Sequence, residues 1–398
     1  MDIVLTPSRL SGTVNATPSK SQAHRLLICA ALADRPTNVI CPETSLDIEA
    51  TVSCLNAIGA DIQSTPTGYL VTPITSTPTN AFLNCHESGA TLRFMLPIIG
   101  ALGIDATFLL SGRLPHRPIS PLWDEMGRMG CQLSRLDRAT IHCTGKLRPG
   151  NYSIAGNISS QFVSGLLLAM TLIPGTSYLE VTGEIESLPY IEMTRHALSS
   201  FGVSTEGYAV TGGYPLTSPG SIIIEGDWSN AAFFVAANAM GHSIELKNLN
   251  PKSVQGDKQI VVLAENLKRH CSISAADIPD LIPILSVLAA VNQGAEFTQI
   301  QRLRSKESDR VASIEAMLSS LGIRTESDAN TLKIFPGEIR SGVVDSFNDH
   351  RIAMSAAIAA TVANGPLTVL NADCVNKSYP GFWHTYQRLG GQYEQLIR

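Results

Sequence analysis

The string Leu198-Ser199-Ser200-Phe201-Gly202-Val203 returns in nearly the same form as Leu318-Ser319-Ser320-Leu321-Gly322-Ile323. In each copy an amphipathic stretch ends at a glycine, and a residue typical of a β-strand follows. Glycine ends helices well because it adopts a positive φ without a Cβ clash. The string therefore predicts a repeated junction of helix, stop and strand.

Further copies of this junction occur along the chain. They are Leu55-Asn56-Ala57-Ile58-Gly59-Ala60-Asp61-Ile62, Met126-Gly127-Arg128-Met129-Gly130-Cys131-Gln132-Leu133, Tyr386-Gln387-Arg388-Leu389-Gly390-Gly391 and a degenerate copy without the glycine, Leu267-Lys268-Arg269-His270-Cys271-Ser272-Ile273. Copies lie roughly 50 to 70 residues apart, which leaves room for two helices and several strands. Such junctions also recur by chance in α/β proteins, but six copies at nearly regular spacing favour six structural repeats.

The segments between the junctions indicate which elements are buried. Three predicted helices have hardly any polar face, at Phe162 to Leu172, Leu281 to Val291 and Ile352 to Val362. A helix that is apolar on all sides is buried on all sides. Short alternating segments at Gly68 to Thr72 and Leu332 to Phe335 are typical of antiparallel strands with one face in water. We therefore predict an α/β (α+β) fold, namely a two-domain inside-out α/β barrel with six βαβαββ-type repeats, three per domain.

Length and composition limit the class of protein. At 398 residues the chain exceeds one ordinary core, and no apolar run approaches the roughly 20 residues needed to cross a bilayer. The net charge of -5 gives no field that attracts nucleic acid. The eight cysteines are scattered without a C-x-x-C pair, so reduced thiols are expected rather than disulfides or a metal site. Since the first residues resemble neither a signal nor a transit sequence, we predict a cytoplasmic protein, expected to be a monomer, with no membrane or nucleic-acid partner.

Four predicted helix starts combine small polar residues, most of them beside a cation. They are Ser19-Lys20-Ser21-Gln22-Ala23-His24-Arg25, Glu87-Ser88-Gly89-Ala90-Thr91-Leu92-Arg93, Ser159-Ser160-Gln161 and Asn348-Asp349-His350-Arg351. Backbone N–H groups, hydroxyls and cations at such a start can bind a phosphate together. N-capping explains any one of them. Four together, with the Arg/Pro/Gly loop from Ser111 to Pro118, favour the binding of anionic ligands.

Two carboxylates accompany these cations. Asp280 precedes an apolar helix, where the helix N-terminus favours its charge and lowers its pKa, although capping is an equally good interpretation. Glu307 lies between Lys306 and Arg310 and could exchange protons with a substrate carbon or hydroxyl. Only 16% of the residues are charged, so a charged string beside an apolar helix needs a partner or ligand to offset its desolvation.

These motifs resemble the enolpyruvyl transferases, and within them the enzymes that act on shikimate 3-phosphate. The matching segments follow the family's order from end to end: Pro18-Ser19-Lys20-Ser21 with Arg25, Gly112-Arg113 through Arg117-Pro118, Ser159-Ser160-Gln161-Phe162, Ser187-Leu188-Pro189-Tyr190, Asp277-Ile278-Pro279-Asp280, Lys306-Glu307-Ser308-Asp309-Arg310, Asn348-Asp349-His350-Arg351 and Lys377. The resemblance implies transfer of the enolpyruvyl group of phosphoenolpyruvate to the 5-hydroxyl of shikimate 3-phosphate through a tetrahedral intermediate. It also implies that phosphate is released and that neither a metal nor an organic cofactor is needed.

The resemblance also implies a role for each matching residue. Shikimate 3-phosphate would be held by Lys20, Ser21, Arg25, Ser159, Ser160, Gln161, Ser187, Tyr190, Asp280 and Lys306. Phosphoenolpyruvate would be held by Lys20, Gly89, Arg113, Gln161, Arg310, Arg351 and Lys377, with His350 and Arg117 in support. In catalysis Asp280 would accept the proton of the 5-hydroxyl and Glu307 would protonate the methylene carbon, with Lys20 sharing the proton transfer.

Three positions depart from the family's commoner pattern. Glu87 and Ala90 stand where that pattern has Asn and Thr, and Arg302 stands where many relatives have Asn. The backbone role of Gly89 can survive these changes, whereas side-chain roles at Glu87 and Ala90 are in doubt.

Three alternatives share the fold. An enolpyruvyl transferase acting on UDP-N-acetylglucosamine usually has a cysteine in the loop corresponding to Ser111 to Pro118, and this loop has none. An RNA-end-modifying relative would need a basic groove with stacking aromatics, which the sequence lacks. A non-catalytic relative would lack at least one of Asp280, Glu307 and Lys20, and all three are present.

The resemblance implies a discontinuous domain arrangement. The chain would start in one domain, complete the other, and return near Ile224-Glu225-Gly226-Asp227. We expect one domain at residues 1–12 plus 226–398 and the other at residues 13–225, with the active site in the cleft between them.

Overall fold

The structure, a computed structural model, describes residues 1–396. Its helices are α1 (Lys20–Ala31), α2 (Leu46–Ala57), α3 (Gly89–Leu102), α4 (Leu122–Arg128), α5 (Ser160–Met170), α6 (Leu188–Ser200), α7 (Trp228–Ala239), α8 (Ile260–Asn266), α9 (Ile282–Val291), α10 (Arg310–Ser320), α11 (His350–Ala360) and α12 (Phe382–Arg388). Its strands are β1 (Asp2–Thr6), β2 (Ser11–Asn15), β3 (Thr37–Ile40), β4 (Asp61–Thr65), β5 (Gly68–Thr72), β6 (Asn80–Asn84), β7 (Asp105–Leu109), β8 (Cys131–Arg135), β9 (Thr140–Gly145), β10 (Asn151–Ala155), β11 (Gly175–Thr182), β12 (Ala209–Gly212), β13 (Ser221–Ile223), β14 (Ser243–Lys247), β15 (Cys271–Ser274), β16 (Ala295–Thr298), β17 (Thr325–Ser327), β18 (Thr331–Ile334), β19 (Gly342–Asp345), β20 (Leu367–Leu370) and β21 (Gln392–Leu396). None of the helices in this part of the chain is both long and apolar enough to span a membrane.

The chain forms two compact units. The first unit contains Met1–Thr17 and the chain from Gly226 onwards, and the second contains Pro18–Glu225. The boundary expected at residue 12 is wrong, because it falls inside β2. That strand pairs with β14 over its whole length, from Ser11 with Ser243 to Asn15 with Lys247, so the chain leaves the first unit only after Thr17.

Six sheets account for the described strands, three in each unit. The sheet of β6, β7, β9 and β8 shows the pattern of one repeat. Parallel β6 and β7 flank α3, after which α4 leads into the antiparallel pair β8 and β9. The strands β15, β16, β17 and β18 repeat the same order around α9 and α10. The predicted βαβαββ repeat is confirmed in both units.

The first helix of each repeat is buried on nearly all sides. These helices are α1, α3 and α5 in the second unit and α7, α9 and α11 in the first. Every residue of α11 is buried, and α9 is buried from Ile282 to Ala290. The strands alternate between buried and exposed residues, so the sheets present one face to water. This arrangement confirms the inside-out architecture.

The repeated glycines occupy the conformation that the junctions predict. Gly59, Gly130, Gly202, Gly322 and Gly390 have φ of 110°, 118°, 80°, 80° and 99° respectively, beyond the ends of the second helices. The strand expected directly after Gly202 is wrong, however. A 3-10 turn over Glu206–Tyr208 intervenes, and β12 begins only at Ala209.

Candidate active site

The start of α1 presents a partly buried lysine. Ser19 caps the helix by accepting a hydrogen bond from the Gln22 amide at 3.4 Å. Lys20, the first helical residue, extends its Nζ to within 2.8 Å of Asp47 Oδ2, and both side chains are about six-sevenths buried. Asp47 therefore holds the ammonium group at the helix start, where an anion would also be favoured.

Arg25 lies one turn further along α1 and is almost entirely enclosed by protein. Its Nε donates to Thr194 Oγ1 at 2.6 Å, and its Nη2 donates to the Tyr190 carbonyl at 2.9 Å. The Nη1 atom donates to the Ser21 carbonyl at 2.6 Å. Burial lowers the pKa of Arg25 to about 10, so the side chain remains a cation at neutral pH. Most of the N–H groups of Arg25 therefore donate hydrogen bonds to other protein atoms.

A chain of buried polar groups links α1 and α2 to the start of α3. His24 Nδ1 lies 2.7 Å from Thr51 Oγ1, which lies 2.7 Å from Thr91 Oγ1. The Thr91 hydroxyl donates to Ser88 Oγ at 2.7 Å, and Ser88 caps α3. Burial, with the charges of Lys20 and Arg25, lowers the pKa of His24 well below its usual value. A neutral histidine thus holds these three helices together.

The starts of α3 and α5 meet at Arg93. Ser159 caps α5 by accepting from the Gln161 amide at 3.3 Å. The Gln161 side chain accepts from Arg93 Nη1 at 2.7 Å. Ser160 is buried beside it. Gly89 stands close to this guanidinium, since a Cβ there would lie 3.1 Å from Arg93 Nη1.

The Arg/Pro/Gly loop carries one exposed and one buried cation. Arg113 is exposed, at the start of the 3-10 turn Leu114–His116, whereas Arg117 is 7% exposed. The Glu87 carboxylate packs against Gly112, where a Cβ would come within 2.5 Å of Glu87 Oε2. Gly112 has φ of 55° and accommodates this approach. The departure at Glu87 therefore places a carboxylate against the loop next to Arg113.

Ser187 and Tyr190 begin α6. Ser187 is 1% exposed and adopts a left-handed backbone conformation with φ of 58°. Such a conformation is uncommon for a residue with a Cβ and is typical of functional turns. Tyr190 is partly buried, and its carbonyl accepts from Arg25. Most of the predicted shikimate-phosphate residues thus lie at starts of helices in the second unit, namely Lys20, Ser21, Ser159, Ser160, Gln161, Ser187 and Tyr190, and Arg25 lies one turn further along α1.

In the first unit, Arg310 joins three carboxylates. Its Nη1 lies 2.5 Å from Asp280 Oδ1, its Nη2 lies 2.7 Å from Glu307 Oε2, and its Nε lies 2.8 Å from Asp349 Oδ2. The Arg310 side chain is 1% exposed, and that of Asp349 is fully buried. Burial alone would lower the pKa of Arg310, but Asp349, Glu307 and Asp280 raise it well above its usual value. The guanidinium therefore fixes the spacing of Asp280 and Glu307.

Asp280 also accepts a hydrogen bond from Arg351 Nη2 at 2.9 Å. Burial favours the protonated carboxyl, but Arg351, Arg310 and Lys306 outweigh it and hold the pKa of Asp280 well below its usual range. From the sequence, the nearby helix N-terminus was expected to lower the pKa of Asp280. In the structure the guanidinium groups of Arg351 and Arg310 are the stronger cause.

Two neighbouring groups have pKa values close to neutrality. Burial, followed by the charge of Arg302, lowers the pKa of Lys306 to about 7. Burial and the charge of Asp280 raise the pKa of Asp257 to about 7, and Asp257 also accepts a short hydrogen bond from Ser229. Arg302 is 8% exposed, so the departure at this position puts a buried cation beside Lys306, in addition to Arg310.

The remaining predicted residues of the first unit lie around the start of α11. Asp349 caps this helix by accepting from the Arg351 amide at 3.0 Å. His350 is 1% exposed. Lys377 is buried and donates from Nζ to the Asn348 carbonyl at 2.7 Å. The structure thus joins Glu307, Arg310, Asp280 and Arg351, in that order, by successive ion pairs and places Lys377 at the adjoining turn.

Sequence reasoning missed four residues of these clusters. Asp47, Arg93, Asp257 and Asp349 received no role, although Arg93 and Asp349 lie inside quoted motifs. A single arginine in an otherwise apolar helix was a usable signal for Arg93. Asp47 and Asp257 are separated from their partners along the chain, and the sequence contains no local sign of the pairing.

The chemical capacity of the two clusters is complementary. The second unit supplies cations, hydroxyls and backbone N–H groups, which bind phosphates and carboxylates. The first unit supplies carboxylates held by guanidinium groups, which can accept and donate protons. Within residues 1–396, no group of three His, Cys, Asp or Glu side chains is arranged to hold a metal ion.

A family model described as EPSP synthase (3-phosphoshikimate 1-carboxyvinyltransferase) matches residues 4–386. The chain belongs to the EPSP synthase family. Members of this family are enzymes of chorismate and aromatic amino acid biosynthesis, and the chain shares their activity as a transferase. The alternative activity on UDP-N-acetylglucosamine is not favoured.

Curated relatives support membership of the EPSP synthase family over the full length. The 3-phosphoshikimate 1-carboxyvinyltransferase of Clostridium kluyveri is 34% identical, and the match covers 99% of this chain and 98% of that protein. The enzyme of the same name from Clostridium beijerinckii is 35% identical, with 98% and 97% covered.

Solved structures share the fold. An EPSP synthase from Acinetobacter baumannii superposes with a TM-score of 0.80 at 21% identity, covering 99% of this chain and all of that chain. The enolpyruvyl transferase NikO from Streptomyces tendae gives a TM-score of 0.76 at 17% identity, covering 100% and 99%. At these identities the likeness concerns the fold alone.

The buried Asp349 is expected to contribute strongly to stability. Asp349→Asn removes a counter-charge of the enclosed Arg310 guanidinium, and we expect the free energy of unfolding to fall by about 3 kcal/mol. Urea denaturation measures this loss. Asp309→Asn is the matched control, because Asp309 caps α10 with a side chain 35% exposed, and Asn caps as well as Asp. Equal losses in the two variants would contradict the role assigned to Asp349.

Proposed function

We propose that the helix starts of both units act on one pair of substrates, phosphoenolpyruvate and shikimate 3-phosphate. The observation that supports this most is the Arg310 cluster. One enclosed guanidinium holds Asp280 at 2.5 Å and Glu307 at 2.7 Å, so two carboxylates are kept at a fixed separation. An addition followed by an elimination needs one group that accepts a proton and one that donates it.

The cations divide between the two anionic substrates. Lys20, Arg113, Arg351 and Lys377 bind the phosphate and carboxylate of phosphoenolpyruvate, since both groups are multidentate acceptors that match guanidinium and ammonium donors. Arg310 adds mainly its positive charge, because its nitrogen atoms already donate to Asp280, Glu307 and Asp349. The Gly89 amide and the Gln161 side chain add neutral donors. Arg117 and His350, both buried, support the loop and the helix that present these groups.

Shikimate 3-phosphate is bound mainly through hydroxyls. Ser159, Ser160 and Ser187 are buried at the starts of α5 and α6, where the helix dipole favours a phosphate. Lys20, Ser21, Arg25, Gln161, Tyr190, Asp280 and Lys306 complete the set.

The reaction proceeds by addition and elimination. The 5-hydroxyl oxygen bonds to C2 of phosphoenolpyruvate while its proton passes to Asp280, and C3 receives a proton from Glu307. The tetrahedral intermediate then loses a proton from C3 and breaks its C2 bond to the phosphate oxygen. Phosphate leaves, and the enolpyruvyl ether remains.

The electrostatics of Asp280 indicate when it accepts the proton. Its low pKa makes it a weak base toward an ordinary alcohol. The alcohol becomes much more acidic as its oxygen bonds to C2, so proton transfer accompanies bond formation. Before that point Asp280 orients the hydroxyl by accepting its hydrogen bond, and Lys20 shares the later proton transfers.

Glu307→Gln provides a direct test of the proposed chemistry. The amide keeps the shape and a hydrogen-bonding oxygen but has no proton acidic enough to transfer to carbon, so we expect kcat to fall by about 100-fold or more while both substrates still bind. Phosphate release measures turnover, and calorimetry measures binding. The control is Asp309→Asn, a neighbouring carboxylate outside the cluster. Turnover unaffected in Glu307→Gln would remove this residue from the mechanism, and no phosphate release from the unaltered protein would contradict the activity itself.

The pKa of Lys306 predicts a pH dependence. The lysine binds phosphate only as a cation, and its pKa of about 7 is set by burial and Arg302, with Asp280, Arg310 and Glu307 as the other facing charges. The value of kcat/KM for shikimate 3-phosphate should therefore fall as pH rises through about 7. Arg302→Asn removes a repelling charge, raises the pKa of Lys306 and moves this fall to higher pH.

Initial rates of phosphate release across the pH range measure this shift. Arg304→Asn serves as the control, because Arg304 lies in the same turn but bonds outward to the Asp328 carbonyl at 2.8 Å. The role given to Lys306 fails if Arg302→Asn and Arg304→Asn show the same profile as the unaltered protein.

The protein acts as a monomer in the cytoplasm and needs neither nucleic acid nor a membrane. Light scattering at assay concentration tests the monomeric state, and cell fractionation tests the cytoplasmic location. A dimer that persists on dilution, or recovery of the protein outside the cytoplasmic fraction, would contradict them.

A further inference from the structure

The Arg93 side chain is buried yet connects two segments to which a substrate-binding role is assigned. It is 3% exposed, and its Nη1 donates to Gln161 Oε1 at 2.7 Å while its Nη2 donates to the Pro118 carbonyl at 3.0 Å. Its guanidinium also lies over the Phe162 ring, 5.5 Å from the centroid. One planar group therefore ties the start of α5 to the end of the loop that carries Arg113 and Arg117.

The packing of α3 against α5 keeps the hydrogen bond between Arg93 and Gln161 short. Pro97 lies four residues after Arg93 and has no N–H to donate to the Arg93 carbonyl. Gly165 lies four residues after Gln161, and a Cβ there would collide with that same carbonyl. The α5 backbone thus approaches α3 directly at Gly165, one turn from the Arg93–Gln161 hydrogen bond.

Arginine has only donors, and this decides the orientation of the glutamine amide. The Gln161 oxygen must face Arg93, because two N–H groups pointed at each other would repel. The Gln161 amide nitrogen is then directed away from the guanidinium. Gln161 therefore presents donors on its other side, as an anionic ligand requires, and cannot present its carbonyl oxygen without losing the bond to Arg93.

We propose that Arg93 is a positioning residue that holds Gln161 in the orientation whose N–H groups donate to phosphoenolpyruvate. The inference rests on the proposed role of Gln161 in binding that substrate. Arg93 itself contacts protein atoms, and its effect on the reaction passes through Gln161 and the loop ending at Pro118. Loss of Arg93 releases the amide to rotate, so the donor is presented only part of the time.

A double-mutant cycle tests this coupling. KM for phosphoenolpyruvate is measured in the unaltered protein, Arg93→Met, Gln161→Ala and the double variant, with folding checked by thermal melting. We expect each single change to raise this KM by about 10- to 100-fold. Arg93→Met should add little in the Gln161→Ala background, because the group it positions is already gone. If the two changes in the double variant raised KM by the product of their separate effects, the proposal would be overturned.

Gln161→Glu gives a second test that leaves Arg93 in place. The carboxylate still accepts from Arg93, but its outward atom becomes an oxygen that repels an anion. We expect KM for phosphoenolpyruvate to rise at least as much as in Gln161→Ala. Unchanged affinity in Gln161→Glu would overturn the proposal, even if Arg93→Met fails to fold.

A conservative variant of Arg93 and a control arginine elsewhere in the unit separate the positioning role from a loss of charge. Arg93→Lys keeps the charge but cannot form both hydrogen bonds in one plane, so its KM should lie between those of the unaltered protein and Arg93→Met. Arg35→Met is the control, since it removes an arginine that donates to a carbonyl, that of Ser218, elsewhere in the same unit. If Gln161→Ala leaves KM unchanged, the proposed role of Gln161 fails. If only the Arg93 variants leave it unchanged, the positioning role fails.

Discussion

The constraint on which the structure depends is the burial of the first helix of each repeat. A helix enclosed on all sides leaves no flank on which a charged group can be solvated, and unpaired buried charges are costly. Polar groups therefore concentrate at helix ends, where backbone N–H groups lack intrahelical partners, and buried cations further along a helix, such as Arg25 and Arg93, are bonded by the protein. Lys20, Gly89, Gln161, Asp280 and Arg351 all lie at or just before such starts. The same burial that stabilises each unit decides where its functional residues can be.

Carboxylates share the guanidinium donors of the first unit. Arg310 and Arg351 are held by Asp280, Glu307 and Asp349, so each guanidinium lies against at least one carboxylate. An anion bound there competes with these carboxylates for the same donors. In the second unit Lys20 pairs with Asp47, and Glu87 packs against the loop that carries Arg113.

How far the sequence predicts this structure depends on how local each determinant is. The junction glycines and the buried helices were predictable because periodicity and positive φ are properties of a few adjacent residues. The first domain boundary was not predictable, since β2 belongs to the first unit through its pairing with β14, more than 200 residues away in the sequence. The contacts of Arg93 and Asp47, and the pKa of Lys306, depend on side chains brought together from separate repeats or turns. The resemblance of the motifs to a known family indicated which residues belong to the site, whereas their distances and hydrogen bonds could be obtained only from the structure.

The protein itself uses most of the hydrogen-bonding capacity of the Arg25 guanidinium. Arg25 donates from all three nitrogen atoms to Thr194, Ser21 and Tyr190, and it also lies 4.9 Å from the Phe94 ring centroid. A guanidinium held in this way can add little more than charge to ligand binding, so the hydroxyls near it must provide the directional bonds. We therefore regard Arg25 as a charged scaffold for the starts of α1 and α6.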